Sequence, residues 1–215
     1  MSTDSAATFQ QILDLLKRYG LLLVSDPHLP SVVSLVAGEP VRRSWWGHPR
    51  GKEMYAVLNQ LAAREEVLMS KLVSGKETYV HQRLWSALIG VGTARESWQL
   101  HDLSGSDGFL LETLSQEQTL RIDQVHQSTG FPAKALAEAA REVERKLLAY
   151  GEELHTASGA HTKRLESWEH WMQRIGFAEP LLTPEQGKMA LEDALLLLNR
   201  QFVARERLPW LATAP

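Results

Sequence analysis

The chain has 215 residues, of which 44% are hydrophobic, so it is long enough for one large or two small folded domains and too apolar to be disordered. Its formal net charge of −3 does not favour polyanions in general, so any nucleic-acid contact must use a local patch. Cysteine is absent, which excludes disulfides, zinc–thiolate sites and cysteine nucleophiles.

The first hundred residues predict a helical unit that contains one β-hairpin. Apolar residues at helical spacing predict a helix over 6–20, and Pro30 opens a short helix over 31–37. A third helix is predicted from about Lys52 to Arg64. β-branched and aromatic residues on both sides of "SGK" then predict a hairpin within 67–80, and "LWSALIGVG" returns to helix.

A linker is predicted at "WQLHDLSGSDG", residues 98–108, after which the same order recurs. A helix with Asp107 as N-cap is followed by a short strand and a short helix that Gly130 ends. A longer helix begins at Pro132, and two strands surround "ASGA" at 157–160. The chain closes with an amphipathic helix and a tail that docks through Leu208 and Trp210.

These elements predict an α+β fold, mostly α, with two winged-helix-like units that carry β-hairpin wings and a C-terminal helix. We place the predicted domains at residues 1–100 and 101–215, with the C-terminal helix as a cap on the second. No apolar run is long enough to cross a bilayer, and the first ten residues lack a basic start before an apolar run. We therefore expect a cytoplasmic protein without a membrane contact.

The strongest functional signal is "RRSWWGHPRGK", residues 42–52, which we call the indole segment. Basic side chains neutralise phosphates, and an exposed indole stacks on a base or wedges between base pairs. The alternative is that the tryptophans anchor the core and the arginines form a solvated edge. The candidate nucleic-acid contacts of the segment are Arg42, Arg43, Trp45, Trp46, His48, Arg50 and Lys52.

A second candidate contact lies in the predicted wing, residues 150–167, with "ASGA" at its tip. Lys163 or Arg164 on its second strand could reach a phosphate beside the preceding helix. His155 and His161 flank the tip, but a pair of histidines without a clear third ligand does not make a zinc site. We therefore predict no metal and no cofactor.

The helix "PAKALAEAAREVERKL" mixes basic and acidic residues, which favours ion pairs such as Glu138 with Arg141 or Glu142 with Lys146. Such a helix is more typical of packing or protein contact than of base recognition. Residues 1–100 carry 11 basic and 9 acidic side chains, against 12 and 17 in residues 101–215, for net charges of +2 and −5. This asymmetry places an anion-binding face in the first half.

"LRIDQVHQSTGFPAKALAEAAREVERKLLAYGEELHTASGAHTKRLESW" resembles a winged helix over roughly residues 107–171. With "SWWGHP" and "KLVSGKETYVHQRLW", the chain resembles bacterial winged-helix proteins related to the DNA glycosylases that unhook interstrand crosslinks. The enzymes of that family have tandem winged helices and a Gln-x-Gln or Gln-x-Asp catalytic pair. The resemblance implies Gln116 and Gln118 of "SQEQ" as the corresponding pair.

Taken together, the residues and the resemblance predict a nucleic-acid-binding protein, with DNA as the partner and DNA repair as the setting. Two alternatives remain open. One is a DNA glycosylase-like enzyme that uses Gln116 and Gln118, although no standard catalytic motif surrounds them. The other is a winged-helix protein-interaction module that forms a homodimer through its winged helices or its final helix.

Overall fold

The structure is a computed structural model that describes residues 3–42, 44–155 and 161–211. Its α-helices are α1 (Thr3–Tyr19), α2 (Val32–Ala37), α3 (Gly51–Ala62), α4 (Trp85–Gly92), α5 (Ser97–Leu100), α6 (Gly105–Glu117), α7 (Ile122–Thr129), α8 (Ala133–Arg145), α9 (Trp168–Ile175) and α10 (Pro184–Phe202). Its β-strands are β1 (Leu21–Leu23), β2 (Val67–Val73), β3 (Lys76–His81), β4 (Thr119–Arg121), β5 (Tyr150–His155) and β6 (His161–Glu166). The prediction of a mostly helical α+β fold is therefore confirmed.

The chain divides into two compact units. The first consists of the described residues within Met1–Leu88 and Glu185–Ala214, and the second consists of those within Ile89–Pro184. Each unit has the order helix, strand, helix, helix, strand, strand, and each forms a three-stranded antiparallel sheet, ordered β1-β3-β2 and β4-β6-β5. Whereas the sequence predicts a boundary at residue 100 and places the last helix in the second domain, α10 groups with the first unit from Glu185 onward. The domain boundary itself stays a prediction. No helix in the described part of the chain has the length and apolar character that a membrane span requires.

The core of the first unit lies between its helices and its sheet. The apolar positions of α3 recur every three or four residues, so one face of the helix is buried: Met54, Val57 and Leu61 are each at most 2% exposed. They pack with apolar residues of α1 and α2 in one cluster. At the end of α1, Gly20 adopts a φ of +79°, which suits the predicted helix end.

The predicted first hairpin is confirmed as β2 and β3, which pair antiparallel from Val67 with His81 to Val73 with Lys76. Its two loop residues, Ser74 and Gly75, have φ values of +50° and +69°. A two-residue loop with both φ angles positive is the type I′ turn, whose twist matches that of the strands. The glycine in "SGK" is therefore the residue that lets the hairpin turn tightly.

The second unit has its own core around α6, α7 and α8. As predicted, α8 buries Leu136, Ala139, Ala140 and Val143, while Gly130 ends α7 with a φ of +74°. The buried carboxylate of Glu166 is 2.6 Å from His170 Nδ1 and accepts hydrogen bonds from Arg174 at 2.8 and 2.9 Å. Burial by itself would raise the pKa of Glu166, but these partners hold it below the ordinary value.

The predicted linker at 98–108 is partly wrong, because α5 and the start of α6 lie within it. Gln99 of α5 is fully buried, and its amide donates to the carbonyls of Gly92 and Lys146. The predicted N-cap is also wrong: Ser104 caps α6, and the Asp107 side chain accepts a hydrogen bond from the Ser104 backbone amide in a capping box. This cap offsets the helix penalty of the two glycines that follow it.

A partly buried ion cluster joins Lys76 of the first hairpin to Asp26 and to Glu206, which follows α10. The Asp26 side chain is 0% exposed, and its Oδ1 accepts hydrogen bonds of 2.8 Å from the amides of His28 and Leu29. Lys76 Nζ lies 2.5 Å from Asp26 Oδ2 and 3.0 Å from Glu206 Oε2. Leu208, two residues after Glu206, is fully buried, which confirms the predicted docking of the tail at that residue.

Candidate nucleic-acid interface

A 3-10 turn presents the two tryptophans of the indole segment immediately before α3. The turn spans Trp45–Gly47, and the His48 carbonyl accepts a hydrogen bond of 2.8 Å from the Gly51 amide. A Cβ on Gly51 would lie 3.1 Å from the Trp45 carbonyl oxygen and 3.2 Å from that of Trp46. Glycine at this position therefore lets the turn sit close against the start of the helix.

The two indoles are stacked, with ring centroids 4.1 Å apart and planes at 23°. Trp45 is half-buried and packs against the core of the first unit, whereas Trp46 is 66% exposed. The sequence left open whether the tryptophans anchor the core or face solvent, and the structure divides the two roles between them. Trp45 is the anchor, and Trp46 is the ring offered to solvent.

Tyr55 is a third ring of this surface, and the sequence analysis missed it. Its centroid lies 5.6 Å from that of Trp46, and the residue is 46% exposed. Tyr55 comes one helical turn after Gly51, the first residue of α3, so it faces back toward the turn that precedes the helix. That spacing is the signal that could have identified it.

The basic residues of the indole segment differ in their availability. Arg42 and Lys52 are exposed, and within residues 3–42, 44–155 and 161–211 no acidic side chain pairs with either. Arg50 instead forms a two-pronged hydrogen bond with Glu53 at 2.8 and 2.9 Å. His48 Nδ1 accepts a hydrogen bond from the Arg50 amide, which fixes the ring beside the turn. Arg43 lies outside the described residues.

Lys163 and Arg164, the contacts predicted in the second hairpin, are both held by carboxylates. The side chain of Lys163 is 10% exposed, with Nζ 2.6 Å from Glu144 and 3.1 Å from Glu153. Arg164 pairs across the strands with Glu152. Their charges are thus compensated within the unit, in contrast to those of Arg42 and Lys52. The predicted tip, "ASGA", lies outside the described residues.

The remaining charges of α8 follow the predicted mixed pattern. Glu142 contacts both Arg145 at 2.5 Å and Lys146 at 3.9 Å, the second being a predicted pair. Glu138 lies 3.9 Å from Lys134 rather than beside Arg141. This helix therefore balances most of its own charge, which is unlike a helix that contacts phosphates.

The predicted hairpin places His155 opposite His161 in the register of β5 and β6. In the described part of the chain, no group of three or more histidine, aspartate or glutamate residues is arranged to hold a metal ion.

The two glutamines implied by the resemblance occupy the end of α6. Gln116 is on the helix, whereas Gln118 is its left-handed C-cap with a φ of +62°. Both residues are exposed, and because Gln118 lies beyond the end of the helix in the left-handed conformation, helical spacing does not describe how the two side chains are placed. Gln118 does line a cleft of the second unit, together with Arg95, Trp168 and Glu169.

Comparison with known proteins gives a family match. No curated protein and no solved structure matches the chain. A family model described as "AlkZ related" matches residues 6–206, nearly the whole chain. The match confirms the broad part of the resemblance, the link to the AlkZ crosslink-repair glycosylases. The chain therefore belongs to the AlkZ-related family.

Proposed function

We infer that the protein binds DNA in a repair process, and that the indole segment is its contact surface. The observation that carries this function is the exposed, stacked Trp46 in one short segment with Arg42 and Lys52, whose charges have no acidic partner among the described residues. Stacking aromatic rings and positive charge are the two features that non-sequence-specific DNA contacts combine. Membership of a family linked to crosslink-repair glycosylases supports DNA as the partner.

The winged helix is the fold that we assign to both units. Each unit contains a run of three helices, α1 to α3 or α6 to α8, with a short strand between the first two and a hairpin after the third, and the short strand pairs with the last strand of the hairpin. Winged-helix modules have these parts. In the first unit, α3 corresponds to the helix before the wing, and the indole segment leads directly into it.

Replacing Arg42 and Lys52 together with alanine is expected to weaken DNA binding and reduce its salt dependence. Each lost phosphate contact releases one counterion fewer, so the slope of log K against log salt should fall by about 1.4 to 1.8 in magnitude for two contacts. Affinity should be measured by fluorescence anisotropy at several salt concentrations.

The matched control is the pair Arg205→Ala and Arg207→Ala, two exposed basic residues far from the indole segment in the sequence. It removes the same net charge, so an effect of net charge alone would lower the DNA affinity of both double variants equally. Unchanged affinity and slope in the Arg42 and Lys52 variant would reject the segment as the contact surface.

A glycosylase-like enzyme is the second candidate function, because Gln118 lines a cleft together with the charged Arg95 and Glu169. The binding function predicts no base release when the protein is incubated with damaged duplex DNA. Release by the wild type that is lost in a Gln116→Ala, Gln118→Ala double variant would instead make the protein an enzyme. Gln173→Ala, at another exposed glutamine, is the control.

A homodimer and a protein-interaction role stay predictions. The feature that favours them is the set of exposed apolar residues on α10, namely Met189, Leu196 and Leu197.

A further inference from the structure

The indole pair offers a single stacking face. One side of the Trp46 ring is covered by Trp45, at a centroid distance of 4.1 Å, and Trp45 in turn packs against the core. Trp46 nevertheless remains 66% exposed. The pair is therefore a platform fixed on its inner side and open on its outer side, with Tyr55 beside it at 5.6 Å.

A platform of this kind cannot act as an intercalating wedge. A wedge enters a base step with both of its faces against bases, and Trp46 would have to leave Trp45 to do so. Bases inside an intact duplex are in turn covered on both faces by their neighbours. An open indole face is complementary to a base that has lost a stacking neighbour, as bases in single strands have.

The charges that flank the platform in the chain fit a polyanionic strand. Arg42 and Lys52 precede and follow the two tryptophans in the chain, and both are exposed. The acidic residues nearest in sequence contact other members of the segment. Glu53 pairs with Arg50, and the side chain of Glu39 is 72% exposed and lies 3.9 Å from His48. Arg42 and Lys52 themselves have no acidic partner among the described residues, and such uncompensated positive charge selects phosphates over an apolar protein partner.

We propose that the outer face of Trp46 binds one unstacked nucleobase of a single-stranded DNA segment, while Arg42 and Lys52 contact the adjoining phosphates. This inference rests on the proposed function and makes it more specific, because it selects single-stranded over continuous duplex DNA. The base contributes through its π-face alone, so binding is tolerant of sequence.

The test compares three DNA molecules by fluorescence anisotropy: a labelled 12-residue oligothymidylate, the same chain with abasic sites in place of its bases, and a relaxed, covalently closed circular duplex as competitor. The abasic chain keeps every phosphate and loses every stacking face. Trp46→Ala should raise the Kd for oligothymidylate by about 5- to 150-fold, the range for one stacked base. It should leave the Kd for the abasic chain unchanged, and the circle should compete poorly.

Two further variants test whether the loss of affinity is specific to the aromatic ring of Trp46. Trp46→Phe keeps a ring at the same place and should retain much of the affinity. Leu100→Ala removes another exposed apolar side chain, 44% exposed, outside both the indole segment and α10, and should change nothing. Both variants and Trp46→Ala should show the wild-type melting temperature.

Each other outcome has a definite meaning. If Trp46→Ala reduces the affinity for the abasic chain as much as the affinity for oligothymidylate, base stacking on Trp46 is wrong. The same conclusion follows if it reduces neither affinity, and in both cases the proposed DNA binding stands. A circular duplex that competes as well as the single strand also overturns the inference alone. Absence of binding to all three molecules overturns the proposed function as well.

Discussion

Replacing Lys76 with methionine is expected to lower the free energy of unfolding by about 2–4 kcal/mol. Methionine keeps most of the apolar stem, so the change isolates the charge. The Asp26 carboxylate is 0% exposed and would lose the ammonium group 2.5 Å away, as would Glu206, which shares it. Removing one partner of a buried pair leaves an uncompensated charge, and the 36% exposure of Lys76 moderates this cost.

The same cluster predicts a dependence of stability on pH. Burial by itself would raise the pKa of Asp26, but hydrogen bonds from Lys76, Leu29 and His28 hold it below its ordinary value. A carboxyl whose pKa is lowered by folding contributes stability above its unfolded pKa, about 4, and loses it as pH falls through the folded pKa. The wild type should therefore lose stability on acidification from about pH 5, and Lys76→Met should lose less because the stabilising charge is already gone.

Urea unfolding followed by circular dichroism, at neutral pH and along an acid series, measures both effects. Lys71→Met is the matched control on the neighbouring strand. Lys71 lies 3.8 Å from Glu77, whose side chain is 42% exposed, so that pair should contribute at most about 1 kcal/mol. If the two lysine variants proved equally stable, Asp26 would not be a buried, lysine-dependent carboxylate.

Much of the fold could be predicted from the sequence because its elements carry local signals. Apolar spacing marks α3 and α8, and Gly20 and Gly130 mark helix ends where a positive φ is required. The predictions near residue 100 fail where local and tertiary signals conflict. The Gly- and Ser-rich stretch is typical of a linker, yet a capping box at Ser104 and the buried amide of Gln99 order it.

The candidate site was less accessible to sequence reasoning, for a physical reason. Composition identifies charged and aromatic residues, but it does not show which charges already have an ion-pair partner or which rings are buried. Arg50 and Lys163 resemble Arg42 and Lys52 in the sequence, yet Glu53 and Glu144 compensate the first two. The pairing of Lys163 with Glu144 joins residues far apart in the chain, so no local pattern reveals it. Burial likewise distinguishes Trp45 from its neighbour only after folding.

A second large effect is expected from Gly90→Ala in α4. Alanine normally stabilises a helix interior by about 1 kcal/mol relative to glycine. At Gly90, however, a Cβ would lie 2.3 Å from the carbonyl oxygen of Leu182 and 3.3 Å from its carbonyl carbon. Because the obstacle is backbone rather than the end of a flexible side chain, the segment around Leu182 must move away from α4. We expect the free energy of unfolding to fall by about 3 kcal/mol.

Gly108→Ala in α6 separates this clash from the general effect of alanine. Nothing lies within 4 Å of a Cβ at Gly108, so this variant should be more stable than the wild type by about 0.5–1 kcal/mol. If urea unfolding shows that the same substitution destabilises the protein at Gly90 and stabilises it at Gly108, the close approach of Leu182 requires glycine at position 90. A stabilised Gly90→Ala protein would mean that the Leu182 carbonyl does not lie against α4.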